Sequence, residues 1–133
     1  MLTKNLYCEK SILIHASADA IWDILTNPQK IRFYMFGSEV DTDWKPGSPI
    51  TFSRNSTGIR FVDKGRIIDN QQAKVLTFSY WSSQEGYDDI PENYSVIRYS
   101  IQQKKDRVCE LTYRRTIFLL SSSTRIRRNI YLC

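Results

Sequence analysis

From residue 38 to residue 118 apolar and polar side chains alternate with period two, in short runs separated by turn-forming residues. That alternation is the strongest constraint in the chain. Consecutive strands joined by short connections fold as an antiparallel meander, and one face of such a sheet must be covered. The runs are 38–41, 50–54, 60–69, 74–81, 94–103 and 108–118. Lys45-Pro46-Gly47-Ser48 places proline and glycine where a type II turn wants them, and Asn55-Ser56-Thr57-Gly58 joins the next pair of runs. The alternation puts Leu76, Phe78 and Tyr80 on one side of the fourth run, with Val75, Thr77 and Ser79 on the other. It likewise groups Ile97, Tyr99 and Ile101, and then Cys109, Leu111 and Tyr113.

Before this meander comes a different pattern. Residues 7–14 are rich in strand formers, with Ile12, Ile14 and Ala16 on one face and Leu13 and His15 on the other. Ser17 reads as a helix N-cap, Asp19 lies in the first turn, and Ala18, Ile21, Trp22 and Leu25 form an apolar stripe. Asn27-Pro28 stops that helix and starts a second, to about Phe33, with Asn27 as cap and Pro28 at the first helical position. The order is thus a strand, two short helices and six strands. With no repeat and no linker, residues 1–133 read as one domain. The ending is atypical: 119–133 carries a serine triplet and three arginines, where Ser123 caps at most a helix of about two turns with Ile126 and Ile130 on one face.

Charge sharpens the contrast. The net charge is +5, yet residues 1–110 hold equal numbers of acidic and basic side chains. The excess is Arg114, Arg115, Arg125, Arg127 and Arg128, with Tyr131 the one aromatic beside the last three, so nucleic acid is not expected as a partner. Apolar runs do not exceed about four residues and exclude a membrane-spanning helix. The N-terminus lacks the apolar core of a signal peptide, so the expected location is cytoplasmic and Cys8, Cys109 and Cys133 are expected to be free thiols.

Three stretches together carry a family likeness. SILIHASADAIWDILTNPQKIRFYMFG (11–37), with Ala-Ile-Trp ahead of an Asn-Pro helix start, resembles the opening of the SRPBCC or START-like superfamily. DTDWKPGSPITF (41–52) is similar to the Trp–Pro-Gly turn of the branch named after the activator of the heat-shock chaperone ATPase. DKGRIIDNQQAKVLTFSYW (63–81) matches that branch's Gly-x-Ile-x-Asp strand, turn and Thr-Phe-x-x-Trp strand. The resemblance spans about residues 7–118 and implies an α+β helix-grip fold, START-like or Bet v-like. That fold has an antiparallel sheet of six to seven strands, two short helices after the first strand, and a long C-terminal helix walling an apolar cavity. Here the last helix is expected to be shortened or atypical, the ending being that of a shortened branch or a truncated or frame-shifted chain.

Such a domain implies binding of a hydrophobic small molecule or lipid in the cavity. Trp22, Phe33, Phe36, Phe52, Phe61, Phe78, Tyr80, Tyr99 and Tyr113 are the lining candidates, the tyrosine hydroxyls fixing orientation. The resemblance leaves two other functions open. One is a protein-interaction module modulating a chaperone ATPase, with a protein partner or a homodimer. The other is a polyketide cyclase-like enzyme, which needs a cavity-facing acid or base. Arg98 and Glu110 fall beside the core face, as a charged pair across neighbouring strands. No catalytic residue, metal site or cofactor is assigned: the one histidine, His15, reads as outward-facing, no Gly-x-Ser-x-Gly or phosphate loop is present, and the cysteines lack zinc spacing. Glu85, Asp88, Asp89 and Glu92 read as a solvated acidic hairpin loop.

Overall fold

The computed structural model describes residues 3–120. Seven strands, β1 (Thr3–Ile14), β2 (Glu39–Asp41), β3 (Pro49–Ser56), β4 (Ile59–Gln71), β5 (Val75–Ser82), β6 (Ser95–Lys105) and β7 (Val108–Leu120), form one antiparallel sheet in the order β1-β7-β6-β5-β4-β3-β2. Helices α1 (Ala18–Thr26) and α2 (Pro28–Tyr34) lie between β1 and β2 in the chain. Those two strands are the opposite edges of the sheet, so the helical pair has to carry the chain across its width. This is the helix-grip arrangement.

Local chemistry explains the elements. Ser17 Oγ accepts from the Ala20 amide at 3.1 Å and caps α1; Asn27 Oδ1 accepts from the Gln29 amide at 2.9 Å and caps α2, with Pro28 in its first turn. The Lys45–Ser48 turn closes with a 3.0 Å hydrogen bond from the Ser48 amide to the Lys45 carbonyl, and Gly47 takes the positive φ (+89°) that a type II turn requires. Thr57 and Gly58 both have positive φ, which gives the β3–β4 hairpin the right-handed twist of its strands.

The core lies between the helices and the concave face of the sheet. Ile21, Trp22 and Leu25 of α1 and Ile31 of α2 pack over Ile50, Phe52, Ile67, Leu76, Phe78, Ile97, Ile101 and Cys109. At Gly65 the backbones of β4 and β5 approach closely. A Cβ on it would lie 1.7 Å from the carbonyl oxygen of Ser79.

Several expectations need correction. β7 runs on to Leu120, so the first two residues of 119–133 belong to a strand; the short helix expected around Ser123, with Arg125, Arg127, Arg128 and Cys133, lies outside the described residues. Cys109 is a buried free thiol, but Cys8 is disulfide-bonded. Arg114 and Arg115 are not unbalanced charges: Arg114 Nη2 meets Glu9 Oε2 at 2.6 Å and Arg115 Nη2 meets Glu85 Oε1 at 2.6 Å. The acidic loop does face solvent at Asp88, Asp89 and Glu92, and Asp89 binds Lys64 Nζ at 2.5 Å and accepts from the Tyr94 hydroxyl at 2.6 Å. Arg98 and Glu110 do not pair. Glu110 binds Lys104 Nζ at 3.4 Å, while exposed Arg98 sits in register with Thr77 and Arg114.

Candidate functional site

A cavity of about 140 Å³ opens between the end of α2 and the concave face of the sheet. Alternation along the strands places its walls: Phe52 comes from β3, Phe78 and Tyr80 from β5, Ile97 and Tyr99 from β6, and Tyr113 and Arg115 from β7. Their rings form a chain across the sheet. Phe52 lies 5.9 Å from Phe78 and 6.1 Å from Tyr80, Phe78 6.5 Å from Tyr99, and Tyr99 5.4 Å from Tyr113, all tilted or edge-on as aromatic quadrupoles prefer. Tyr34, Met35 and Phe36 close the helical side. Phe36 holds a left-handed backbone (φ +55°), uncommon for a bulky residue, and is 85% exposed at the rim.

Six of the nine sequence candidates therefore share this cavity: Phe36, Phe52, Phe78, Tyr80, Tyr99 and Tyr113. Trp22 is buried in the core on α1, away from the lining. Phe33 is 86% exposed, because Ile31 takes the inward position on α2 and a residue two further on points elsewhere. Phe61 lies half-buried against the Arg54 guanidinium, 5.6 Å from its ring centroid.

The polar end of the cavity was not among the candidates. Arg115 lines it, with Nε and Nη2 hydrogen-bonded to Ser95 Oγ at 3.1 and 3.0 Å and Nη2 also to Glu85. Behind Tyr80 lies a buried ion pair: Asp63 Oδ2 accepts from Arg54 Nη1 at 2.9 Å and from the Tyr80 hydroxyl at 2.5 Å. Asp63 Oδ1 has no hydrogen-bond partner among the described residues. Arg54 also donates to Gln84 Oε1 and lies 6.0 Å from the Phe36 ring centroid. The available signal was period two: Arg54 follows Ile50 and Phe52, Asp63 precedes Gly65 and Ile67, and Arg115 follows Leu111 and Tyr113 on inward-facing positions. Neither Arg98 nor Glu110 reaches the cavity lining. Among the described residues no cluster of side chains is arranged to hold a metal ion, and no helix is long and apolar enough to cross a membrane.

Burial pushes the phenols of Tyr80, Tyr99 and Tyr113 upward, reinforced for Tyr80 by its hydrogen bond to the Asp63 carboxylate. These hydroxyls remain protonated donors at neutral pH. A folded-state pKa above the unfolded one contributes stability that is present below about pH 10 and is lost as pH rises through the folded value. Spectrophotometric titration is thus expected to show Tyr80 and Tyr99 silent just above pH 10 and ionising only together with loss of the far-ultraviolet β signal. Reversible ionisation of every tyrosine near pH 10 in folded protein would contradict the burial.

A seven-stranded antiparallel sheet gripping two short helices around a small aromatic cavity defines a START-like domain. Within that class the chain belongs to the family of Activator of Hsp90 ATPase homolog 1-like proteins, whose family model matches residues 15–126. A solution structure from Cytophaga hutchinsonii is similar to it at 30% identity, with 97% of this chain and 85% of that one covered and a TM-score of 0.73. Two more distant structures share the fold. An HSP90 activator from Plasmodium falciparum has 12% identity, covering 82% of this chain and 71% of its own, with a TM-score of 0.66. CalU16 from Micromonospora echinospora has 16% identity, covering 88% and 71%, with a TM-score of 0.61. No curated protein matches the chain.

Proposed function

We propose that this START-like domain binds a hydrophobic small molecule in the cavity between α2 and the concave sheet. The carrying observation is the lining: five aromatic rings from Phe52, Phe78, Tyr80, Tyr99 and Tyr113 face a common space that the core does not fill, beside one charged side chain, Arg115. Binding works by removing apolar ligand surface from water, at about 25 cal/mol per Å², while the phenols and the guanidinium orient the ligand.

Native mass spectrometry of freshly purified protein tests this reading. A retained lipid or aromatic metabolite supports it, whereas clean apo dimers favour a role in protein interaction. Ile97, a buried wall residue, provides the control. Ile97→Phe is expected to fill the cavity and abolish retention while costing about 1–3 kcal/mol of stability from overpacking. Retention unchanged in Ile97→Phe places the ligand elsewhere.

A second reading rests on the family itself, whose name is that of chaperone-ATPase activators. It requires a direct, stoichiometric change in the ATPase rate of such a chaperone on adding this protein. An enzymatic reading of the cyclase type has less support, because the described residues lining the cavity include no carboxylate and no histidine to act as a base.

A further inference from the structure

Three groups on the cavity wall carry hydrogen-bond donors for which no described residue supplies an acceptor. Arg115 uses Nε and Nη2 on Ser95 and Glu85, and no described residue accepts from Nη1. The hydroxyls of Tyr99 and Tyr113, on rings 5.4 Å apart, make no hydrogen bond to any described residue. Tyr80 differs, since its proton is given to Asp63 Oδ2. Among the described residues the wall contains no carboxylate, and a guanidinium can only donate. The groups left over are therefore weighted toward donors, in a space otherwise walled by rings and aliphatic side chains. None of these three donors is sealed from solvent, so the gain on binding is the exchange of water for a ligand acceptor in a less polar space.

Size narrows the ligand further. A cavity of about 150 Å³ lined by apolar side chains accommodates benzene, and this one measures about 140 Å³. Resting on the reading of this cavity as a ligand site, we propose that it takes a single-ring aromatic molecule bearing an acceptor oxygen, a carbonyl or carboxylate. The ring packs among Phe52, Phe78 and Tyr113, and the oxygen faces Arg115 Nη1 and the Tyr99 and Tyr113 hydroxyls. The recognised chemistry is the acceptor oxygen. Its source, a neutral ketone or an aromatic acid, depends on how far Glu85 neutralises Arg115.

Three probes test this on the full chain by isothermal titration and by chemical-shift mapping: acetophenone, benzoate, and α-methylstyrene, in which a methylene replaces the ketone oxygen at nearly the same shape. Acetophenone, benzoate or both are expected to bind about tenfold more tightly than α-methylstyrene, the yield of one hydrogen bond to a charged group. This holds although α-methylstyrene is the more hydrophobic probe. Benzoate above acetophenone identifies an acid as the ligand class, and the reverse order a neutral carbonyl. Arg115→Met is expected to abolish the preference. Because that change also removes the Arg115 contacts to Glu85 and Ser95, the double variant Tyr99→Phe/Tyr113→Phe, which removes only hydroxyls that bond no described residue, should shrink it several-fold in folded protein. Equal or tighter binding of α-methylstyrene overturns the donor assignment and leaves the apolar site standing. Absence of binding by all three overturns both.

Discussion

Gly65→Ala is expected to lower stability by about 3 kcal/mol or more, at the upper end of what overpacking costs, and the midpoint of thermal unfolding by about 10 °C. The cause is backbone, not side chain. Lys64 pairs with Trp81 and Ile67 with Phe78, but between them β4 and β5 form no ladder pair. Instead the Arg66 amide donates to Ser79 Oγ at 2.9 Å, and the Ser79 carbonyl comes so close to Gly65 that a Cβ would lie 1.7 Å from its oxygen and 2.4 Å from its carbon. No rotamer change can relieve a contact with a strand's own backbone, so the two strands must part. β5 carries Phe78 and Tyr80 into the cavity, and the damage passes directly to the site. Gly58→Ala is the comparison. It has open space around it and only the φ of +80° against it, which costs about 1–2 kcal/mol for a left-handed residue with a side chain. Urea denaturation followed by circular dichroism separates the two. A Gly65→Ala midpoint no lower than that of Gly58→Ala contradicts the close approach.

The glycine stands in the Gly-x-Ile-x-Asp stretch whose family likeness was visible in the sequence, but its reason was not: the clash partner is 14 residues away, across a strand pair whose register is set by the β-turns and bulge between them. The same division runs through the molecule. Ser17, Asn27-Pro28 and Pro46-Gly47 were legible because a cap or a turn is decided by residues two or three apart. The inward face of each strand was legible because alternation is local. Phe33 was not, since an apolar residue on a helix of only seven residues has too little periodicity around it to show which way it faces. The polar end of the cavity was illegible for a further reason. Arg54, Asp63 and Arg115 occupy inward positions that pattern reading reserves for apolar residues, and their partners are set by register and loop closure, as with Arg115 and Glu85, 30 residues apart. Net charge concealed Arg115 as well, by grouping it with arginines near the C-terminus instead of with the acid it meets.

Asp63→Ala is expected to cost about 3–5 kcal/mol, the range for removing one partner of a buried ion pair. The Asp63 side chain is 2% exposed and that of Arg54 11%, so the abandoned guanidinium cannot recover hydration without moving. Tyr80 loses the acceptor of its hydroxyl in the same step. The pair itself is a different quantity from the cost of breaking it. Desolvating two charges offsets most of their attraction, and here no described residue bonds Asp63 Oδ1, so the carboxylate is incompletely compensated even when paired. Arg54→Met/Asp63→Leu, which replaces both charges with apolar side chains, is therefore expected to recover most of the loss and to unfold within about 1 kcal/mol of the unmodified protein. Equilibrium denaturation of the two variants gives the comparison directly. A double variant as unstable as Asp63→Ala shows that the pair contributes net stability. A single variant within about 1 kcal/mol of the unmodified protein, as is usual for exposed pairs, shows that the ion pair is hydrated. The recovered double variant also has a consequence at the site. With Asp63 gone, the Tyr80 proton is no longer held away from the cavity, and a third phenol donor joins those of Tyr99 and Tyr113. Preference for acetophenone over α-methylstyrene should then rise, not fall, which ties the stability of the buried pair to the polarity of the space beside it.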